Sequence, residues 1–153
     1  MKEQLLLAWQ TANAKNNLLL QHLSEEELRA SLSNKGRTVG EQLAHLHNVR
    51  INWTEFVAKS IYDKSLLLGK EIELTPPVLT EAFSKSAEKI AAIIHTSWEK
   101  EGKLPSFKAG LIPFVSYLIS HESHHRGNIL LTLKQSGFTL PDALKWGLWE
   151  WAR

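Results

Sequence analysis

Thr38-Val39-Gly40-Glu41-Gln42-Leu43-Ala44-His45-Leu46-His47-Asn48-Val49-Arg50 reads as the opening of a long amphipathic helix. Thr38 and Glu41, three positions apart, form a capping box in which each side chain accepts from the other residue's free backbone N–H. Beyond the cap, Val39, Leu43, Leu46, Val49, Trp53 and Val57 recur at helical intervals. That stripe predicts a helix running to about residue 60.

The same period organises the rest of the chain. Leu6, Trp9, Ala12 and Leu20 mark a helix over residues 3–22, and Ser24 opens a short helical piece from Glu25 to Leu28. Ser33-Asn34-Lys35-Gly36 is a break. Residues 61–78, with Gly69 and the pair Pro76-Pro77, are the least regular part and predict a long crossover. Thr80 is expected to start the next helix, which runs to about Glu101 and ends at Gly102. Pro105 and Gly110 mark a loop, and Pro113 suits a helical first turn, where its missing N–H costs nothing. Val115, Leu118, Ile129 and Leu133 then hold helical phase until Gly137. After Pro141 a short final helix is expected, its Trp146, Trp149 and Trp151 covering one end. No segment sustains the alternation of a half-buried strand. Four long helices with one long crossover between the second and third predict an all-α four-helix bundle.

A chain of 153 residues is the size of one domain, here 1–153, and needs neither disulfides nor a structural metal to close a core. It has no cysteine, which excludes thiolate metal sites and cysteine nucleophiles, so any transition metal must sit on nitrogen and oxygen. The net charge is +2, with Lys and Arg dispersed, and this argues against nucleic acid as a partner. The N-terminus carries neither a long apolar core nor a small-residue cleavage site, and no apolar run reaches 18 residues. A cytoplasmic protein with no membrane partner is expected.

Seven histidines invite a metal reading. His22 and His95 lie near helix C-termini, where a partly charged imidazole complements the helix dipole. His121 and His125 are one helical turn apart and share a face, so two imidazoles can converge on one ion. His124 points away from the Leu118, Ile129 and Leu133 stripe and is expected in solvent. A third ligand must come from another helix, and the second offers His45 and His47 at opposite edges of its apolar stripe. Phase alone leaves that choice open.

His121-Glu122-Ser123-His124-His125 also satisfies the H-E-x-x-H pattern of zinc proteases. Such an enzyme needs a strand edge to hold its peptide, and its further carboxylate would have to be Asp142 or Glu150 in the tail. Glu122 falls on the core face, where an unpaired carboxylate is costly. It is expected to pair with a cation or lie behind the ligands. It is also the candidate catalytic proton acceptor.

The Thr38–Arg50 stretch, then His121-x-x-x-His125-Arg126-Gly127-Asn128-Ile129 and Leu133-x-x-x-Gly137, resemble the DinB/YfiT-like family. The resemblance implies a four-helix bundle whose metal, often zinc or nickel, is held by one histidine on the second helix and two on the fourth. It assigns His45, His121 and His125 as the ligands. Three nitrogens leave a coordination position open, as in catalytic sites. The resemblance then implies a metal-dependent enzyme in which a low-molecular-weight thiol or water attacks a small-molecule substrate, as a thiol S-transferase or a hydrolase. Arg50 or Arg126 would bind an anionic group or form ion pairs; Trp53 would pack in the core or line the pocket. The alternative is a non-catalytic, stress-related module, dimeric through an apolar helix face, with a vestigial or regulatory metal. A homodimer is expected.

Overall fold

The computed structural model describes residues 1–33 and 36–151. Its elements are α1 (Lys2–Gln21), α2 (Glu25–Leu28), α3 (Val39–Val57), α4 (Pro76–Trp98), α5 (Leu111–Gln135) and α6 (Asp142–Gly147), with two 3₁₀ turns in the α3–α4 crossover. The long helices α1, α3, α4 and α5 form the expected bundle, and no strand occurs among the described residues. No helix among them is long and apolar enough to cross a membrane.

Local chemistry sets most boundaries. Thr38 Oγ1 accepts from Glu41 N at 3.1 Å while the Glu41 carboxylate accepts from Thr38 N at 2.7 Å. Ser24 and Glu27 repeat this capping box at α2. At the end of α5, Phe138 N–H donates to Leu133 O and Gly137 N–H to Lys134 O, with Gly137 at φ +88°. That is a Schellman closure, and glycine supplies its left-handed residue.

Three boundaries depart from the sequence expectation. Helix α4 begins at Pro76 rather than Thr80, with Thr75 as its N-cap accepting from Val78 N. The Pro76-Pro77 pair therefore belongs to the helical first turn, where neither missing N–H is needed. Helices α3 and α4 stop at Val57 and Trp98, about one turn short. The tail helix exists, but its tryptophans do not cover the bundle: Trp146 and Trp149 are 69% and 80% exposed. Buried Leu140 and Leu144 anchor the tail instead. Lys15 Nζ reaches across to donate to the carbonyls of Gly147 and Glu150.

The apolar interior is divided into two clusters. One gathers Leu19, Leu43, Leu46, Phe83, Ile129 and Leu133; the other gathers Trp9, Ile90, Ile94, Phe114, Val115 and Leu118. At their junction lies Arg50, fully buried, with its guanidinium over the ring of Trp9 at 4.7 Å and of Phe83 at 4.8 Å, one from each cluster. Its Nε and Nη2 donate to the two oxygens of Glu122 at 2.6 and 2.9 Å, and its Nη1 donates to Asn13 Oδ1 at 2.9 Å. Asn16 Nδ2 donates to Glu122 Oε2 at 2.7 Å, while Asn16 Oδ1 accepts from Arg126 Nη1. Ser86 of α4 completes the ring, 3.3 Å from Arg50 Nη1.

This layer joins all four long helices. Burying two charges is expensive, and a paired, fully hydrogen-bonded geometry offsets that cost while removal of one partner exposes it in full. Arg50→Ala or Glu122→Ala should therefore lower the unfolding free energy by about 3–5 kcal/mol. The apolar double replacement Arg50→Met with Glu122→Leu should recover much of that loss. Urea denaturation of the three variants measures both effects.

Candidate metal centre

The pair that crosses the core also sets the register of α3 against α5. Arg50 lies five residues after His45, and Glu122 is next to His121, so fixing one pair brings the histidines of the two helices to the same level. His45 faces His121 and His125, with ring centroids 5.4 and 5.0 Å away, and the latter two are 4.8 Å apart. One ring nitrogen from each of the three lies within 4.8 Å of the others. Nitrogens sharing one tetrahedral ion at about 2.0–2.1 Å stand roughly 3.4 Å apart, so the cluster lies near that spacing.

The donor set fits a divalent transition ion. All three rings are partly buried, and burial is the first cause that lowers the pKa of each. His125 is pushed down to about 4, with the neighbouring His121, His45, His124 and Arg37 adding repulsion. Neutral imidazole, the ligating form, is thus the state at neutral pH. His121 Nδ1 and His125 Nδ1 are buried and without a hydrogen-bond partner among the described residues. The orientation of His121 is instead supported by stacking on Tyr117, 5.9 Å away with 25° between the planes.

The other histidines separate cleanly. His47 is wholly buried on a different side of α3, where its Nε2 lies 2.6 Å from Leu66 O and fastens the crossover. This resolves the choice that helical phase left open: of the two, His45 joins the cluster. His124 is exposed, its Nε2 3.1 Å from Asn128 Nδ2. His22 caps α1 with Nδ1 2.8 Å from Leu18 O, and His95 lies in the last turn of α4.

Glu122 is paired with a cation as expected, and both of its oxygens are engaged. Arg50 and Arg126 take the ion-pair and network role rather than that of an exposed anion site: Arg126 donates to Asn16 and to Ser123. Trp53 is half-buried against Phe107, Phe114 and Tyr117, at centroid distances of 5.5 to 5.8 Å. The fold adds two neighbours to the cluster. Tyr117 is one turn before His121 on the same helix, a spacing that places it on the shared face. Arg37 precedes the Thr38 cap, and only the tertiary fold brings its charge near His45 and His125.

The lowered histidine pKa values fix a sign for acid stability. As pH falls below the unfolded value of about 6.5 the unfolded chain takes up protons before the folded one, so stability is lost. The metal-free protein should lose stability from pH 6.5 towards 4, and His125→Ala should make the loss shallower. Unfolding free energies at pH 7, 5.5 and 4.5 measure the slope.

The comparisons with known proteins agree with this architecture. A crystal structure of a DinB-like protein from Bacillus cereus ATCC 10987 superposes with a TM-score of 0.65 over 91% of this chain and 95% of that one, at 18% identity. The uncharacterized protein YrdA of Bacillus subtilis (strain 168) is 20% identical over 163 aligned positions, spanning 99% of this chain and 92% of its own. The family model described as DinB family matches residues 1–144, nearly the whole chain, and the protein belongs to that family.

Proposed function

We propose that the protein is a metal-dependent enzyme whose His45, His121 and His125 hold one divalent ion, zinc or nickel, for chemistry on a small molecule. The observation that carries this is the convergence of three neutral imidazoles from two helices at one point. An ion so held supplies Lewis-acid activation of a low-molecular-weight thiol or of water. Transfer of the thiol to an electrophile, or hydrolysis, follows from which of the two is bound.

The chain's own residues divide the remaining work. His45 and the α5 pair offer nitrogen donors only, which suits a borderline ion. Tyr117 stacks on His121, Trp53 and Phe107 pack against Tyr117, and Phe114 packs against those two in turn. Glu122 accepts from Arg50 through both oxygens and from Asn16. We assign it to positioning α5 rather than to proton transfer, because both of its oxygens are held by the core network.

A zinc-protease role has little support, since the Glu122 carboxylate is committed and no strand edge exists among the described residues to align a peptide.

Metal analysis tests the proposal. The purified protein should take up about one zinc or nickel per chain at micromolar concentration, His121→Ala should abolish that uptake, and His124→Ala should leave it intact. Equal behaviour of the two variants would contradict the assignment. A panel of small thiols with an electrophilic acceptor then distinguishes transfer from hydrolysis.

A further inference from the structure

A cleft of about 520 Å³ lies directly beside His45, between α3 and the crossover that runs through Leu68 and Leu74. Its floor and walls include Arg37, His45, Asn48, Lys70 and Ile72. A second cleft, on the side of His125, includes Gln42, Asn128 and Thr132, and Arg37 is the residue common to both. Arg37 therefore lies between two openings, one lined by His45 and the other by His125. Among the described residues Arg37 and Lys70 have no hydrogen-bond or ion-pair partner, unlike Arg50 and Arg126 in the core.

Glu41 is the one carboxylate residue in the lining of this cleft, against the two cations Arg37 and Lys70. Its carboxylate accepts from the neutral N–H of Thr38, which orients it without offsetting its charge. Asn48 is also committed, donating to Leu68 O and accepting from Leu68 N at 2.9 Å each, so that it clamps the crossover as a fixed wall. Glu71, exposed in the crossover, folds its carboxylate back over Gly69. Ile72, Leu68 and Leu74 give the cleft an apolar lining. A volume of this size suits a small molecule, and the lining mixes these apolar side chains with Arg37, Lys70 and Glu41.

We propose that Arg37 binds an anionic group, a carboxylate or phosphate, of a small molecule that lies in this cleft with its reacting end at His45. The inference rests on the metal-dependent reading above and names the substrate class of that site. Arginine suits the role because its planar fork pairs with both oxygens of such a group. Burial first, and then the charge of Arg37 among other neighbours, lowers the pKa of His45 and His125, in keeping with the place of Arg37 beside both.

Three thiols of similar size and different charge test it: 3-mercaptopropionate, 2-mercaptoethanol and cysteamine. Each is titrated onto the ¹⁵N-labelled metal-free protein, following the amides of residues 68–72, and onto the zinc-loaded protein by calorimetry. The anionic probe should bind about tenfold more tightly than the neutral one, as expected for one charge-assisted contact, and the cationic probe most weakly. Arg37→Gln should erase that order, Arg37→Lys should keep much of it, and added salt should compress it. Charge-independent binding by the wild type, an unchanged order in Arg37→Gln, or no binding in either form overturns the inference. Loss of zinc uptake with the anion preference intact would defeat the metal reading alone; zinc uptake without the preference would defeat this inference alone.

Discussion

The ion pair between Arg50 and Glu122 is the constraint on which the rest of the structure depends. A guanidinium and a carboxylate sit at 0% and 1% exposure, where an unpaired charge would be strongly destabilising. They persist because every donor and acceptor has somewhere to go. Glu122 receives three hydrogen bonds, two of them from Arg50, and the flat faces of Arg50 are covered by Trp9 and Phe83. Apolar packing alone tolerates sliding of one helix past another by small steps. A bidentate pair does not, because a displacement of an ångström or two strands both charges.

The candidate metal centre inherits its geometry from that pair. Helical spacing puts His121 and His125 on one face, but it says nothing about which residue of α3 they meet. The contact of Arg50 with Glu122 decides this, since His45 is carried to the level of the α5 pair by the same register. Burial then does chemical work by keeping the imidazoles neutral, and their mutual repulsion reinforces it. The candidate site and the stabilising ion pair thus share a seam along α3 and α5 but use opposite ends of the polarity scale. Buried charges are fully paired in the core, and unprotonated nitrogens are left with spare capacity at the edge.

Much of this was legible in the sequence, for local reasons. The Thr38 and Glu41 cap, the helical stripes and the four-residue spacing of His121 and His125 are short-range signals. The choice of His45 over His47 was not, because both sit at edges of one stripe; family resemblance supplied it, and the Leu66 carbonyl that holds His47 lies 19 residues away. The Pro76-Pro77 pair reads as crossover, yet proline is also at home in a helical first turn, a double meaning that only the Thr75 cap resolves. Tryptophan in the tail suggested burial, yet Leu140 and Leu144 occupy the available space and leave the rings outside. Arg37 carried no signal at all, since its nearness to the histidines is a property of the folded bundle.

X-ray absorption at the zinc edge of the metal-loaded protein bears most directly on the central claim. Three imidazole nitrogens at about 2.0–2.1 Å are predicted, falling to two when His45 is replaced by alanine. A first shell of two imidazoles in the wild type, or one indifferent to His45, would mean that α3 and α5 do not share an ion.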